Sequence, residues 1–240
     1  MKTRSAFSFV IAVVTIFFIG ACSLGKKSEP ANTSPIAKTS PAAQSSPASN
    51  SPQSGPNFTL KIDAKSNVFA AGEGGLDQNG SGLAAPFVTF DAKAGLVLTF
   101  SNVSGRVSCC GGGEEFNEAD GGEFAGGVTD IESSGGISGI THPHKTMFLV
   151  GVFADNTTPK PPGPPRLDAM GAKNLSPLLF QTFFIGSGKG KEIQVPASAT
   201  RLYLGFADGS SFTGTPGSYD DNVGELTTSF TIAPRTNVPK

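Results

Sequence analysis

Between Phe206 and Gly224 the chain gathers Asp208, Asp220, Asp221 and Asn222 on a glycine-rich backbone. Strand-like runs flank this loop at 201–206 and 227–232. Chain reversal brings the loop's ends together, so Asp208 and the Asp221-Asn222 pair are expected to converge. Carboxylates held close repel each other unless a cation or a proton intervenes. Two acids, an amide and free carbonyls suit a hard cation such as calcium, which takes about 6–8 oxygens at ~2.3–2.6 Å. The residue types leave a second reading open: a long hairpin loop whose Asp and Asn close Asx-turns.

Three other groups carry potential chemistry. His142-Pro143-His144 precedes an apolar run. Two histidines two apart on a strand turn both rings to one side, an arrangement that suits zinc or copper, but the chain has no third histidine. Cys109-Cys110 lies at a strand end before Gly111-Gly112-Gly113. Adjacent Cα atoms are ~3.8 Å apart, below the usual disulfide span, so a strained vicinal bridge and two buried thiols are both open. The segment 111–141 holds Glu114, Glu115, Glu118, Asp120, Glu123, Asp130 and Glu132 without a lysine or arginine. Paired carboxylates there would suit glycoside hydrolysis; a solvated acidic loop is the other reading. No Ser-His-Asp set, phosphate loop or nucleotide fingerprint is visible, and a non-enzymatic protein is expected.

The elements that must position these residues read as β. Short runs of Val, Phe, Leu and Thr alternate with Gly, Pro, Asn and Asp. Strands are expected at 58–62, 67–70, 87–90, 96–102, 106–108, 147–153, 178–185, 192–195, 202–206 and 228–232. The run 178–184 reads equally as a short helix. Runs 96–100 and 147–153 are nearly all apolar, as in central strands covered on both faces. The expected fold is all-β, a jelly-roll-like sandwich with long irregular loops at 111–141 and 156–177.

The order Asp208 … Gly217-Ser218-Tyr219-Asp220-Asp221-Asn222-Val223-Gly224, then Ser229-Phe230-Thr231-Ile232, resembles the C-terminal motif of the calcium-dependent galactophilic lectins of bacteria. Asn67-Val68-Phe69, Ala94 to Phe100 and Gly105 follow in the order of that fold. The resemblance is specific over 202–232 and loose elsewhere. It implies a small jelly-roll sandwich holding calcium through the side chains of Asp208, Asp221 and Asn222 and the Ser218 carbonyl. A further carbonyl, near Asp91 or Ala92, would come from a distant strand. In that family two sugar hydroxyls complete the metal shell, and a His-Pro dipeptide touches the sugar, which would assign ligand contacts to Asp208, Asp221 and His142. The chain departs from the pattern by the insertion 210–216 and by Asp221 in place of an asparagine. The added charge favours calcium. Trp is absent and Tyr occurs only at 203 and 219, so a sugar would be held by its hydroxyls rather than by stacking.

The N-terminus supplies an address. Lys2 and Arg4 precede the apolar stretch 6–19, short for a membrane span of ~20 residues and suited to a secretory signal. Ile19-Gly20-Ala21-Cys22 resembles the lipobox of bacterial lipoproteins, which implies a signal peptide at 1–21, lipidation of Cys22 and a membrane anchor. Ser23, where an aspartate would signal inner-membrane retention, favours the outer membrane. Residues 22–57 form a Ser/Pro/Ala-rich tether with prolines at 30, 35, 41, 47, 52 and 56. Too apolar-poor to fold, it acts as a semi-stiff spacer. The remaining 58–240 is expected to be one sandwich. It carries 13 basic and 18 acidic residues, a net −5, and no basic stripe, so nucleic acid is not an expected partner. The expected function is a membrane-anchored extracytoplasmic module that binds calcium and a carbohydrate. The alternative is a structural or adhesion lipoprotein in which calcium only stabilises the loop.

Overall fold

The computed structural model describes residues 55–72, 81–168 and 170–235. The expected signal peptide, Cys22 and nearly all of the tether lie outside them. In chain order the strands are β1 (Asn57–Asp63), β2 (Ser66–Asn67), β3 (Leu83–Ala84), β4 (Phe87–Thr89), β5 (Leu96–Ser108), β6 (Thr129–Ile131), β7 (Ile140–His142), β8 (Val150–Ala154), β9 (Asn174–Leu175), β10 (Thr182–Phe184), β11 (Glu192–Gln194), β12 (Arg201–Gly205), β13 (Thr213–Gly214) and β14 (Val223–Pro234). Every helix is a three-residue 3-10 turn, so the described protein is all-β.

Two sheets make a sandwich. One has the order β1-β14-β5-β11-β9 and the other β10-β8-β12-β4. On β1 the residues alternate, with Phe58, Leu60 and Ile62 turned inward and Thr59 and Lys61 exposed. That period of two leaves one face in water. Leu226, Phe230 and Ile232 of β14 meet Phe153, Leu202 and Leu204 of the opposite sheet in one apolar core. The second sheet is covered on its outer face as well. Val150, Val152 and Ala154 of β8 and Tyr203 of β12 pack under Val68, Phe69, Ile131, Ile137 and Ile140. All five residues of β8 are therefore buried, as its unbroken apolar run predicts. Two smaller sheets, β13-β6-β7 and β2-β3, complete the cover.

The structure differs from the sequence expectation at several strands. The separate strands expected at 96–102 and 106–108 are one 13-residue strand, β5, paired with the whole of β14. Gly105 and Gly224 make that continuity possible: their φ angles are +105° and +102°, and a Cβ on either would lie 2.2 or 2.3 Å from a carbonyl oxygen of the facing strand. Residues 68–70 turn instead of extending, because the Asn67 side chain caps Val68–Ala70 by accepting the Phe69 N–H at 2.9 Å. Met147 has φ +49°, and β8 begins only at Val150. The run 178–185 is neither helix nor long strand. Phe180 has φ +59°, the Leu178 N–H donates to Gln181 Oε1, and only Thr182–Phe184 extends. The acidic segment expected to be irregular contains β6 and runs into β7.

Phe153 is fully buried and sits 5.1 Å from the Phe183 ring and 6.4 Å from that of Phe90. Phe153→Ala should lower unfolding free energy by about 3–5 kcal/mol, read from denaturant midpoints. Phe87, 47% exposed, should tolerate alanine with a loss under ~1 kcal/mol.

Candidate cation site in the closing loop

Four chain segments meet at one end of the sandwich. β5 ends at Ser108 opposite Val223, the start of β14. β1 leads to Ala64, whose N–H donates to Gly224 O at 3.0 Å. β12 leads to Phe206, which exchanges backbone hydrogen bonds with Ser66 and Val68. The loop from Phe206 to Asn222 closes over this end. β13 and two 3-10 turns, Ser210–Phe212 and Tyr219–Asp221, shape it.

Tyr219 pins the loop from inside. Its ring is fully buried; its hydroxyl accepts the Asp208 N–H at 3.0 Å and donates to Phe206 O at 3.2 Å. Outside the loop, Ser81 Oγ accepts the Tyr219 N–H and Asp220 Oδ1 accepts the Gly82 N–H, both at 3.1 Å. Gly217 N–H donates to Asp208 O at 2.9 Å. These bonds carry the two loop ends together.

Asp208 and Asn222 meet as the residue order predicts. Asp208 is buried, and Asn222 is fully so. Asn222 Nδ2 donates to Asp208 Oδ2 at 2.7 Å and to Ala64 O at 3.2 Å, while the Gly209 N–H donates to Asp208 Oδ1 at 2.7 Å. The carboxamide thus turns its nitrogen, not its oxygen, towards Asp208. Among the described residues no group donates to its buried Oδ1, a costly state for a carbonyl. Burial pushes the Asp208 carboxyl up to about 7, against the pull of the hydrogen bonds from Asn222 and Gly209; the Asp221 charge adds to the rise.

Asp208, Ser218 and Asp221 line one cavity of about 250 Å³, with Glu114, Cys109, Cys110 and Phe212 on its other walls. Ser218 and Asp221 are exposed at its rim. Ser218 has φ +63°, a left-handed turn placing it before the Tyr219 anchor. Among the described residues no three His, Cys, Asp or Glu side chains gather closely enough to hold a metal by themselves. A cation here would need hydroxyl, amide and carbonyl oxygens as well. That donor set belongs to a hard ion rather than to zinc. Asp208, Asp221 and Ser218 supply oxygens of that kind to the cavity; Asn222 does not line it and presents its amide nitrogen to Asp208, against the expected side-chain oxygen ligand.

Other expected positions are not brought to the loop. β4 runs antiparallel to β12 with Thr89 opposite Arg201, so Asp91 lies past the far end of β12, on the order of 30 Å from Asp208 at ~3.3 Å per residue. Asp91 instead lines a wider cleft of about 700 Å³ with Phe58, Phe90, Lys93, Leu96 and Ile232. The distant carbonyl near Asp91 or Ala92 is therefore overturned by strand direction; the carbonyl that meets Asn222 is that of Ala64, in the turn after β1, which accepts from Nδ2. His142 is also elsewhere. Its ring packs on Phe148 and Phe184, with centroids 5.2 and 5.4 Å away, and does not line the Asp208 cavity. Burial lowers its pKa, with the charges of His144, Lys145 and Lys191 adding to the fall. His144 is turned by a local bond, its N–H donating to His142 Nδ1 at 3.1 Å. Both cysteines are free thiols, one buried and one exposed, so the structure shows neither of the two open arrangements, a vicinal bridge or a pair of buried thiols.

Sequence reasoning missed Glu114 and the cysteines as neighbours of this loop. The missing signal was the pairing of β5 with β14, which places residue 109 beside residue 222. Compared with protein-family models, characterised proteins and solved structures, the chain matches none.

A free aspartate ionises near ~3.9, whereas Asp208 in the fold ionises near 7. Between these values the folded state keeps a proton that the unfolded state has lost. With chelator present, stability should therefore fall as pH rises from about 4 to 7, by on the order of a few kcal/mol, and then level off. Urea unfolding across that range should show a flatter profile for Asp208→Asn, whatever the variant's absolute stability.

Proposed function

We propose that this chain is a lipid-anchored extracytoplasmic binding module whose closing loop takes calcium and presents it to a hydroxyl-rich ligand such as a glycan. The observation that carries this reading is the buried Asp208 carboxylate, lining a cavity with Asp221 and Ser218 and bonded to Asn222, whose own oxygen lacks a donor among the described residues. A cation offsets the cost of ionising a buried carboxyl. The holding residues would be Asp208, Asp221 and Ser218. When bound, the ion supplies a positive centre whose open positions accept hydroxyl oxygens. Glu114 and Ser210, on the facing wall, would orient such hydroxyls by hydrogen bonds.

Two further observations support a binding role over a purely structural one. The loop is already fastened by Tyr219, Ser81 and Gly217, so a metal is not needed as its only staple. The sandwich also begins at Asn57, at the end of β1 opposite the cavity. The lipobox-like Ile19-Gly20-Ala21-Cys22 supports the anchor, and Ser23 the outer membrane.

Isothermal titration with calcium, followed by galactosides, tests the reading. Calcium should release heat and raise the melting temperature, and Asp208→Ala should remove both effects. A galactoside should then bind only the calcium-loaded protein. Absence of any calcium response would overturn the metal assignment. A calcium response without glycan binding would leave the structural reading.

A further inference from the structure

Cys109 and Cys110 stand together in the wall of the Asp208 cavity. Cys109 follows the last residue of β5 and is 2% exposed, while Cys110 is open to solvent. Both are thiols here, adjacent in the chain. The backbone beyond them is a run of left-handed residues, Cys110 at φ +61°, Gly111 at +67° and Gly112 at +77°. No atom lies within 4 Å of the place a Gly111 Cβ would occupy, so the turn has room to move. Its ends are fixed. Ser108 Oγ donates to Glu114 O at 2.8 Å, and the Gly112 N–H donates to Cys109 O at 3.0 Å.

We propose that Cys109 and Cys110 form a reversible dithiol–disulfide couple built into the cavity wall, in which Cys110 reacts first and Cys109 resolves. Exposure sets the order, since only Cys110 meets a partner in solution. Adjacency sets the character of the bond. Neighbouring Cα atoms are ~3.8 Å apart, against ~4.4–6.8 Å in ordinary disulfides. The ring is strained, and strained or exposed disulfides are the labile ones rather than the structural ones.

The oxidant is a small disulfide, RSSR. The Cys110 thiolate attacks one of its sulfurs, forming Cys110–S–S–R and releasing RS⁻, which takes up a proton. Burial holds the Cys109 thiol protonated, so its sulfur attacks Cys110 Sγ as its proton passes to the departing second RS⁻, and the ring closes. Two protein thiols lose two electrons and two protons, and RSSR gains them as two RSH. Closure joins two free thiols by a bond of about 2.05 Å. The wall beside Asp208 thus has two shapes, one for each redox state. This couple does not depend on calcium.

The test uses the full chain in detergent, equilibrated with graded ratios of oxidised and reduced glutathione, acid-quenched, alkylated and digested with trypsin. The peptide 107–145 contains both cysteines and no other. In oxidising buffers it should lose the mass of two hydrogens and resist alkylation, and reducing buffers should restore both thiols. Early time points should show glutathione on Cys110 and not on Cys109. Cys109→Ser should trap that adduct, and Cys110→Ser should give none. Because the wild-type time course reads the order directly, misfolding of either variant leaves the test intact. Thiols that stay alkylatable at every ratio, disulfide-linked dimers, or a first adduct on Cys109 would each overturn the proposal.

Discussion

The pairing of β5 with β14 is the constraint on which the rest depends. All 12 residues of β14 are matched to β5, with a single irregularity between Ser229 and Phe230. The register fixes which side chains of both strands face the core, since a slip of one residue would turn every one of them over. It also fixes what lies past their ends. Cys109, Cys110 and Glu114 follow one strand and Asp221 lies just before the other, so one pairing brings the wall formed by the β5 tail to the closing loop. Gly105 and Gly224 are part of the same constraint, because a side chain at either would push the strands apart.

The site is built against the preferences of its own residues. Asp208 is buried where water solvates its charge poorly, and Asn222 is buried with an oxygen to which no described residue donates. Buried groups of this kind are unfavourable in a stable core unless partners satisfy them. The fold holds them there through Tyr219, whose ring fills the space beneath the loop and whose hydroxyl ties Asp208 to Phe206. The cost falls on residues that converge on a cavity open to solvent, the pattern expected where structure serves binding. The same Tyr219 lies between the two loop ends in sequence, so its burial converts a long loop into a fixed frame.

Much of the frame was legible in the sequence. The strand at 58–62 was expected, and the nearly all-apolar run 147–153 announced a strand covered on both sides, of which 150–154 extends. Convergence of Asp208 with Asn222 followed from chain reversal alone. Direction was not legible. Nothing local says that β4 runs against β12, and that orientation carries Asp91 to the opposite end of the sandwich from Asp208. Turns were hidden for a similar reason: Met147 and Phe180 are apolar residues with positive φ, a conformation that composition does not mark. Short strands such as β6 and β13 draw their pairing from the loops around them rather than from residue type. The cavity's Glu114 and cysteines were out of reach because they join Asp208 only through a long-range register.

The central claim is that the closing loop holds a cation which lets the buried Asp208 carry its charge. The most direct measurement is the carboxyl carbon resonance of Asp208, followed by NMR through a pH titration with chelator and again with saturating calcium. A cation in the loop predicts ionisation near 7 in chelator and a carboxylate already ionised well below that pH once calcium is present. Superimposable titrations in the two conditions would contradict it.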